Sequence, residues 1–83
     1  MSVQVVWAAA AETDLLALPD WNLAAIVDAA VARYAAHGIG FVLHVPSQSG
    51  ADQFRLLIPR TRTYVRVRRS PTTLYVERVI YRP

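Results

Sequence analysis

The feature that most constrains this sequence is a strict two-residue alternation near its end. In the segment TYVRVRR, Val65 and Val67 alternate with Tyr64, Arg66 and Arg68. Successive side chains of a β-strand point to opposite faces of a sheet, so the pattern predicts a strand with one apolar and one arginine-rich face. The turn residues SPT and the segment TLYVERVIY follow, which predicts an antiparallel hairpin.

An amphipathic helix is predicted over the segment WNLAAIVDAAVARYAAH. Asp20 is expected to cap its first turn, and Gly38 to end it in the left-handed conformation. The preceding segment AAAAETDLLAL predicts a shorter helix that stops before Pro19. The apolar side chains of the long helix recur at helical spacing and form one stripe: Leu23, Ile26, Val27, Ala30, Val31 and Tyr34.

Three more apolar segments predict strands. SVQVVW suggests a first strand over Val3–Trp7, while GFVLHV and QFRLLI flank the polar segment PSQSGAD, which predicts a loop. The predicted fold is therefore α+β in the order β-α-α-β-β-β. Two helices pack on one face of an antiparallel sheet, and the meander after them has at least three strands.

The register of the last hairpin follows if both apolar faces lie under the helices. In the last strand, Leu74, Val76 and Ile80 would form the apolar face, with Tyr75, Glu77 and Tyr81 opposite. This arrangement favours pairing Val67 with Leu74. The same register would place Arg66 opposite Tyr75, Tyr64 opposite Glu77, and Arg62 opposite Val79.

Charge is strongly segregated along the chain. Residues 1–54 hold one arginine against five carboxylates, and residues 55–83 hold eight arginines against Glu77 alone. The two parts carry −4 and +7, which together give the net charge of +3. Such a basic segment attracts phosphates or an acidic partner. The alternative is a solvated strand face whose charges prevent edge-to-edge aggregation.

Arginines and tyrosines interleave on the predicted outward face of the hairpin. Arginine binds phosphates bidentately and tyrosine rings stack on bases, so this face suits single-stranded RNA better than duplex DNA. The alternative is that the tyrosines pack under arginine stems. The candidate nucleic-acid-binding residues are Arg60, Tyr64, Arg66, Arg68, Arg69 and Tyr75.

Several classes of site and location are not expected. The chain has no cysteine, and its two histidines have no second ligand at metal-binding spacing, so neither a disulfide framework nor a metal or other cofactor is predicted. The sequence shows no secretory signal and no apolar run long enough for a membrane span. We therefore expect a cytoplasmic protein with no membrane partner.

The element order and the patterns VVW…A…DLLAL, FRLLI, RTYVRV and YVERVIYR resemble the RelE/ParE superfamily, the small basic toxins of type II toxin–antitoxin modules. The resemblance spans almost the whole chain as a single domain, 1–83, and implies an acidic antitoxin as partner. In the RelE branch it implies metal-independent cleavage of mRNA on the ribosome. That branch carries basic residues on the third strand, at the start of the fourth and just after the last, which Arg55, Arg62 and Arg82 match.

The chemistry of RNA cleavage explains these requirements. When a 2′-hydroxyl attacks the adjacent phosphorus, charge builds on the phosphoryl oxygens, and fixed cations stabilise it. Proton transfer needs another group, because arginine has a pKa above about 12. Many RNA-cleaving relatives carry a tyrosine or histidine for this after the last strand, which no residue here matches. Tyr81 is the candidate substitute, with Tyr64 and Glu77 nearby.

Two alternative functions remain open on the same resemblance. The ParE branch acts on DNA gyrase and lacks the RNA-cleaving residues. A non-catalytic RNA-binding or antitoxin-binding module of the same fold is the second alternative.

Overall fold

The chain folds into two helices and five strands. The computed structural model describes residues 3–46 and 53–83, so the predicted polar loop lies almost wholly outside the described residues. The predicted α+β fold is confirmed, although four strands follow the helices where the predicted order gave three. The elements are β1 (Gln4–Trp7), α1 (Ala9–Leu16), α2 (Trp21–His37), β2 (Phe41–Val45), β3 (Gln53–Ile58), β4 (Thr63–Arg69) and β5 (Thr73–Tyr81).

The five strands form one sheet in the order β1-β5-β4-β3-β2. β1 runs parallel to β5, and all other neighbours are antiparallel. Apolar side chains on one side of the sheet pack against the helices, and their burial supplies the main favourable term in folding. The largest fully buried side chains of this core are Val27 and Val31 of α2 with Leu56, Val65, Val67, Leu74 and Val76 of the sheet.

The ends of α2 agree with the sequence prediction. The carboxylate of Asp20 accepts a hydrogen bond from the backbone N–H of Leu23 at 2.7 Å, which satisfies one of the unpaired donors of the first turn. Gly38 ends the helix with a φ of 69°, a left-handed conformation that a residue without Cβ adopts readily. Both caps are confirmed.

The hairpin of β4 and β5 has a different register from the predicted one and contains a β-bulge in β5. Val67 pairs with Val76 and Arg69 with Leu74, whereas Arg66 pairs with Arg78. Glu77 is thus the extra residue that a bulge inserts into one of two paired strands. The predicted pairing of Val67 with Leu74 is wrong, and so are the predicted partners of Arg66, Tyr64 and Arg62.

A tight turn after Arg69, and the contact of Arg69 with Tyr34 on the helix side, explain this register. The N–H of Ser70 donates to the carbonyl of Thr73 at 2.8 Å, which closes a tight turn directly after Arg69. Arg69 therefore occupies a position on the helix side, which the prediction had reserved for apolar residues. Its guanidinium is accommodated there because it donates a hydrogen bond to the hydroxyl of Tyr34 at 2.5 Å.

The bulge also exchanges the faces of the residues that follow it. Val79, predicted to point outward, is buried with 5% of its surface exposed, while Ile80 is only partly buried. Tyr81 pairs with the buried Thr63 and so lies on the helix side. The prediction that Ile80 belongs to the apolar face and Tyr81 to the outward face is wrong, since a one-residue insertion inverts the alternation.

No helix within residues 3–46 and 53–83 is long and apolar enough to cross a membrane.

Candidate nucleic-acid interface

The side of the sheet away from the helices brings five of the predicted site residues together. The strand registers place Arg55 beside Arg66, Tyr64 beside Leu57, and Arg68 beside Tyr75. We call this side the outer face. Its members include Phe41 and Leu43 of β2, Arg55 and Leu57 of β3, Tyr64, Arg66 and Arg68 of β4, and Tyr75, Glu77, Arg78 and Ile80 of β5.

Arginine and tyrosine side chains stack on each other across the strands of the outer face. The guanidinium carbon of Arg55 lies 4.9 Å from the ring centre of Tyr64, and that of Arg68 lies 5.5 Å from the ring centre of Tyr75. Both distances fall within the range of cation–π attraction. The stacking holds each guanidinium close to a ring, so charged and aromatic groups alternate over this face.

Glu77 places one negative charge among the arginines of the outer face. Its carboxylate lies 3.5 Å from Nε of Arg68 and 4.0 Å from Nε of Arg66. Nε of Arg66 and Oε1 of Glu77 are buried without a hydrogen-bond partner in the described part of the chain. The electrostatic attraction between these two atoms therefore compensates for the water contacts that they lose on burial. Glu77 also neutralises part of the positive charge of Arg66 and Arg68.

Arg78 is bound at the edge of the sheet by a carboxylate from α1. Asp14 accepts hydrogen bonds from Nε and Nη2 of Arg78 at 2.7 and 3.0 Å. Chiefly because of this hydrogen bond, the pKa of Asp14 lies below its ordinary value and that of Arg78 above it. Arg78 is thus paired with a carboxylate of the same chain, although its side chain is exposed.

Arg69 lies apart from the other predicted nucleic-acid-binding residues. Its guanidinium carbon is 4.0 Å from the ring centre of Phe54 and 5.8 Å from that of Tyr34, both on the helix side of the sheet. Since the sheet separates Arg69 from the outer face, it cannot contact the same ligand atoms as Arg66 and Arg68.

Arg60, Arg62, Arg82 and Tyr81 meet at the end of the sheet where the β3–β4 turn lies. The N–H of Arg82 donates to the carbonyl of Arg62 at 2.8 Å, which extends the β4–β5 pairing by one step. Arg60, Arg62 and Tyr81 also line an open cavity of about 520 Å³ between this turn and the start of α2, which we call the end cavity. Tyr81 is on the helix side of the sheet, whereas Arg55 is on the outer face, so the two side chains lie on opposite sides.

Sequence reasoning missed an apolar patch on the outer face. Phe41, Leu43 and Leu57 expose 67%, 51% and 42% of their surfaces. The signal was present, because Leu57 shares its face with Arg55 and the segment FVLHV has apolar residues at Phe41, Leu43 and Val45, which share one face. The arginine-rich surface is therefore bordered by an apolar one.

No group of three or more potential metal ligands occurs among the residues whose structure is described.

No protein-family profile and no curated protein sequence matches this chain. A solved structure does: a chain of the toxin–antitoxin complex RelBE2 from Mycobacterium tuberculosis is similar to it with a TM-score of 0.76. The alignment covers 99% of this chain and 100% of that one, at 23% sequence identity. A likeness at this identity shows the fold, and it is the fold that the resemblance to the RelE/ParE superfamily implied.

Proposed function

We propose that this protein is the toxin of a toxin–antitoxin module and that its outer face binds single-stranded RNA. The observation that carries the proposal is the stacking of Arg55 on Tyr64 and of Arg68 on Tyr75 across one sheet face. The likeness to a chain of the RelBE2 toxin–antitoxin complex supports the class of protein.

The outer face offers both kinds of contact that single-stranded RNA needs. Guanidinium groups bind phosphate oxygens through paired N–H donors, and the guanidinium planes that cover Tyr64 and Tyr75 offer bases a stacking surface. Because Arg55, Arg66 and Arg68 lie on two adjacent strands, their charges can follow an RNA backbone that crosses the sheet. Glu77 lowers the net charge at the centre, so we expect moderate affinity that falls as salt is added.

We extend the proposal to cleavage of the bound RNA without a metal ion. The 2′-oxygen of one ribose attacks the adjacent phosphorus, and the bond from phosphorus to the 5′-oxygen of the next nucleotide breaks. The products are a 2′,3′-cyclic phosphate and a 5′-hydroxyl. Arg55 and Arg66, which are cross-strand neighbours, would stabilise the charge that develops on the phosphoryl oxygens.

A proton must leave the 2′-hydroxyl and another must reach the 5′-oxygen. Tyr64 is the candidate for this exchange, because its ring lies against Arg55 on the outer face. Tyr81, which lies on the helix side, is not part of this proposed set. Arg62 and Arg82, at the end of the sheet, would hold the phosphate that flanks the cleaved one.

We infer that the partner of this toxin is an acidic antitoxin that covers part of the outer face. The apolar patch of Phe41, Leu43 and Leu57 lies directly beside Arg55. A surface of this kind fits a protein segment that combines acidic with apolar side chains, because charge complementarity selects the partner and apolar burial supplies affinity.

The same patch favours a second candidate function, a non-catalytic toxin that acts on a protein such as DNA gyrase. A mixed basic and apolar surface is typical of sites that bind proteins, and an apolar partner would cover the exposed side chains of Leu43 and Leu57. The separation of Tyr81 from Arg55 also suits a function without cleavage.

The experiment that separates these functions compares matched arginine variants in a translating-ribosome assay. Arg55→Ala should slow mRNA cleavage by roughly a hundredfold or more, the typical effect of removing one charge stabiliser. Arg33→Ala removes an exposed arginine of α2 and should leave cleavage unchanged. An absence of cleavage by the parent protein, together with inhibition of gyrase supercoiling, would support the second candidate.

A further inference from the structure

We propose that the end cavity is a second nucleotide subsite, which binds a base with an exocyclic amino group next to the RNA segment on the outer face. This inference rests on the proposed function. The cavity is lined by Asp20, Leu23 and Ile26 from the start of α2 and by Arg60, Arg62 and Tyr81 from the sheet and its turn. Its volume of about 520 Å³ is within the usual range for small-ligand sites.

An aromatic and an aliphatic side chain line the cavity from two different elements. Tyr81 of β5 exposes 40% of its surface and Ile26 of α2 exposes 48%. A flat base that enters between these elements covers apolar surface of both, and base–tyrosine stacking is sequence-tolerant. Tyr81 is available here because the bulge at Glu77 places it on the helix side.

Two arginines supply the positive charge for a phosphate at the cavity. Arg60 and Arg62 form no ion pair with any carboxylate in residues 3–46 and 53–83. Arg60 has a φ of 64°, a left-handed conformation that disfavours residues with a Cβ. Glycine or asparagine would suit that backbone better, which favours a role for the arginine side chain.

Asp20 can distinguish one base edge from another. One of its carboxylate oxygens caps α2 through the N–H of Leu23, and the other accepts no hydrogen bond from any described residue. A carboxylate oxygen accepts from the amino group of cytosine and repels the carbonyl that a uracil-type base presents at the same position. The cavity should therefore prefer cytosine to uracil.

The end cavity is continuous with the RNA path proposed for the outer face. Arg62 lines the cavity and comes two residues before Tyr64, which corresponds to about 7 Å of extended strand. The hydrogen bond from the N–H of Arg82 to the carbonyl of Arg62 fixes this segment against β5. Because the cavity lies on the helix side, an RNA strand that passes the ring of Tyr64 would turn around the end of the sheet to place its next base there.

The test measures binding of short 2′-O-methyl oligonucleotides, which cannot be cleaved, by fluorescence anisotropy. The parent protein should bind tetracytidylate about tenfold more tightly than tetrauridylate. Asp20→Asn retains a good helix cap and should abolish this preference. Tyr81→Ala should weaken binding of both probes about tenfold, while Tyr81→Phe, which keeps the ring, should bind like the parent.

Thermal unfolding, the variant Arg68→Gln and the free nucleotide cytidine monophosphate serve as controls. Thermal unfolding of every variant shows that a loss of binding is not a loss of fold. If Tyr81→Ala and Asp20→Asn bind like the parent while Arg68→Gln binds more weakly, the subsite is wrong and RNA binding at the outer face stands. If the parent binds neither oligonucleotide, the proposed function fails as well. Equal affinity for cytidine monophosphate and tetracytidylate would show a site for free nucleotides, and would overturn a subsite for a base within an RNA strand.

Discussion

The carboxylate of Asp14 holds the guanidinium of Arg78 in a bidentate pair, with Nε at 2.7 Å from Oδ2 and Nη2 at 3.0 Å from Oδ1. Oδ2 also accepts the backbone N–H of Val79 at 3.0 Å. The pairing of β1 with β5 ends at Val76, so Asp14 satisfies a donor on the edge of β5 that β1 does not reach. One side chain therefore fixes α1 to the sheet.

Stability should fall in acid as Asp14 becomes protonated. Its pKa is lowered in the folded protein, first by the hydrogen bond with Arg78 and also by that with Val79. A carboxyl group with a lowered pKa stabilises the fold fully above its ordinary value of 3.8, and this contribution is lost as the pH falls through the folded-state pKa. Thermal unfolding followed by circular dichroism, from pH 6 downward in steps of about half a pH unit, measures this loss of stability.

Variants at Asp14 test whether this carboxylate causes the loss of stability in acid. Asp14→Ala removes the hydrogen bond that the carboxylate accepts from the N–H of Val79. Its loss should lower the free energy of unfolding by about 1 kcal/mol, which corresponds to a melting temperature lower by about 4–8 °C. Its unfolding should also depend less on acid pH than that of the parent. Asp28→Asn, which changes an exposed carboxylate of α2, should leave the acid profile as it is. An unchanged profile for Asp14→Ala would contradict the assignment.

Glu77→Gln should strengthen RNA binding. The carboxylate lies 3.5 Å from Arg68 and 4.0 Å from Arg66, so its neutralisation frees positive charge for phosphates. We expect several-fold tighter binding at low salt, with the slope of log affinity against log salt steeper by roughly 0.7 for one more phosphate contact. Anisotropy titrations over a salt series measure both. Glu12→Gln, on α1, is the control for net charge, and equal gains in the two variants would refute a local role.

Local sequence signals predicted most of the fold. Asp20 and Gly38 defined the ends of α2 because capping depends on the residue itself and on backbone hydrogen bonds within one turn. The strands were recognised by β-branched and alternating residues. The bulge at Glu77 was not predictable in this way, since it depends on how β4 and β5 pair and on Arg69 finding a partner in Tyr34.

Val79 should matter more for stability than Ile80, the reverse of what the sequence pattern predicted. Val79→Ala removes buried apolar surface and leaves a cavity, which costs about 2 kcal/mol. Ile80→Ala changes a partly buried side chain on the outer face and should cost clearly less. Denaturant unfolding of both variants compares the two free energies. A larger loss for Ile80→Ala would mean that the bulge is absent.

The candidate site was predictable from the sequence only where it depends on alternation within one strand. Tyr64, Arg66 and Arg68 were assigned to one face from alternation within a single strand, and the structure places them there. Tyr81 depended on the register between strands, because the bulge at Glu77 inverts its face, whereas Arg69 lies on the helix side with Val65 and Val67, as alternation within β4 requires. Within a strand the alternation is set by the backbone, whereas the register is set by contacts distant in sequence.

Gly40→Ala should destabilise the protein because the side chain of Leu56 occupies the space of the new methyl group. A Cβ at this position would lie 2.8 Å from Cδ1 of Leu56, which is fully buried, and 3.5 Å from Cδ1 of Tyr34. Such overpacking costs about 1–3 kcal/mol. Gly38→Asn is the matched control, because nothing lies within 4 Å of that position and asparagine tolerates its left-handed backbone. Denaturant unfolding should show the larger loss for Gly40→Ala.

Arg60→Gly should weaken RNA binding without weakening the fold. The φ of 64° at Arg60 costs a residue with a Cβ about 1 kcal/mol, and glycine relieves this while adding freedom to the unfolded chain. We therefore expect a free energy of unfolding that is unchanged or up to about 1 kcal/mol higher. The loss of one cation at the end cavity should lower affinity for tetracytidylate several-fold and reduce the salt slope by roughly 0.7. Arg33→Gln, which removes a charge from α2, should change neither quantity. A variant Arg60→Gly that binds RNA like the parent would show that Arg60 does not contact the ligand.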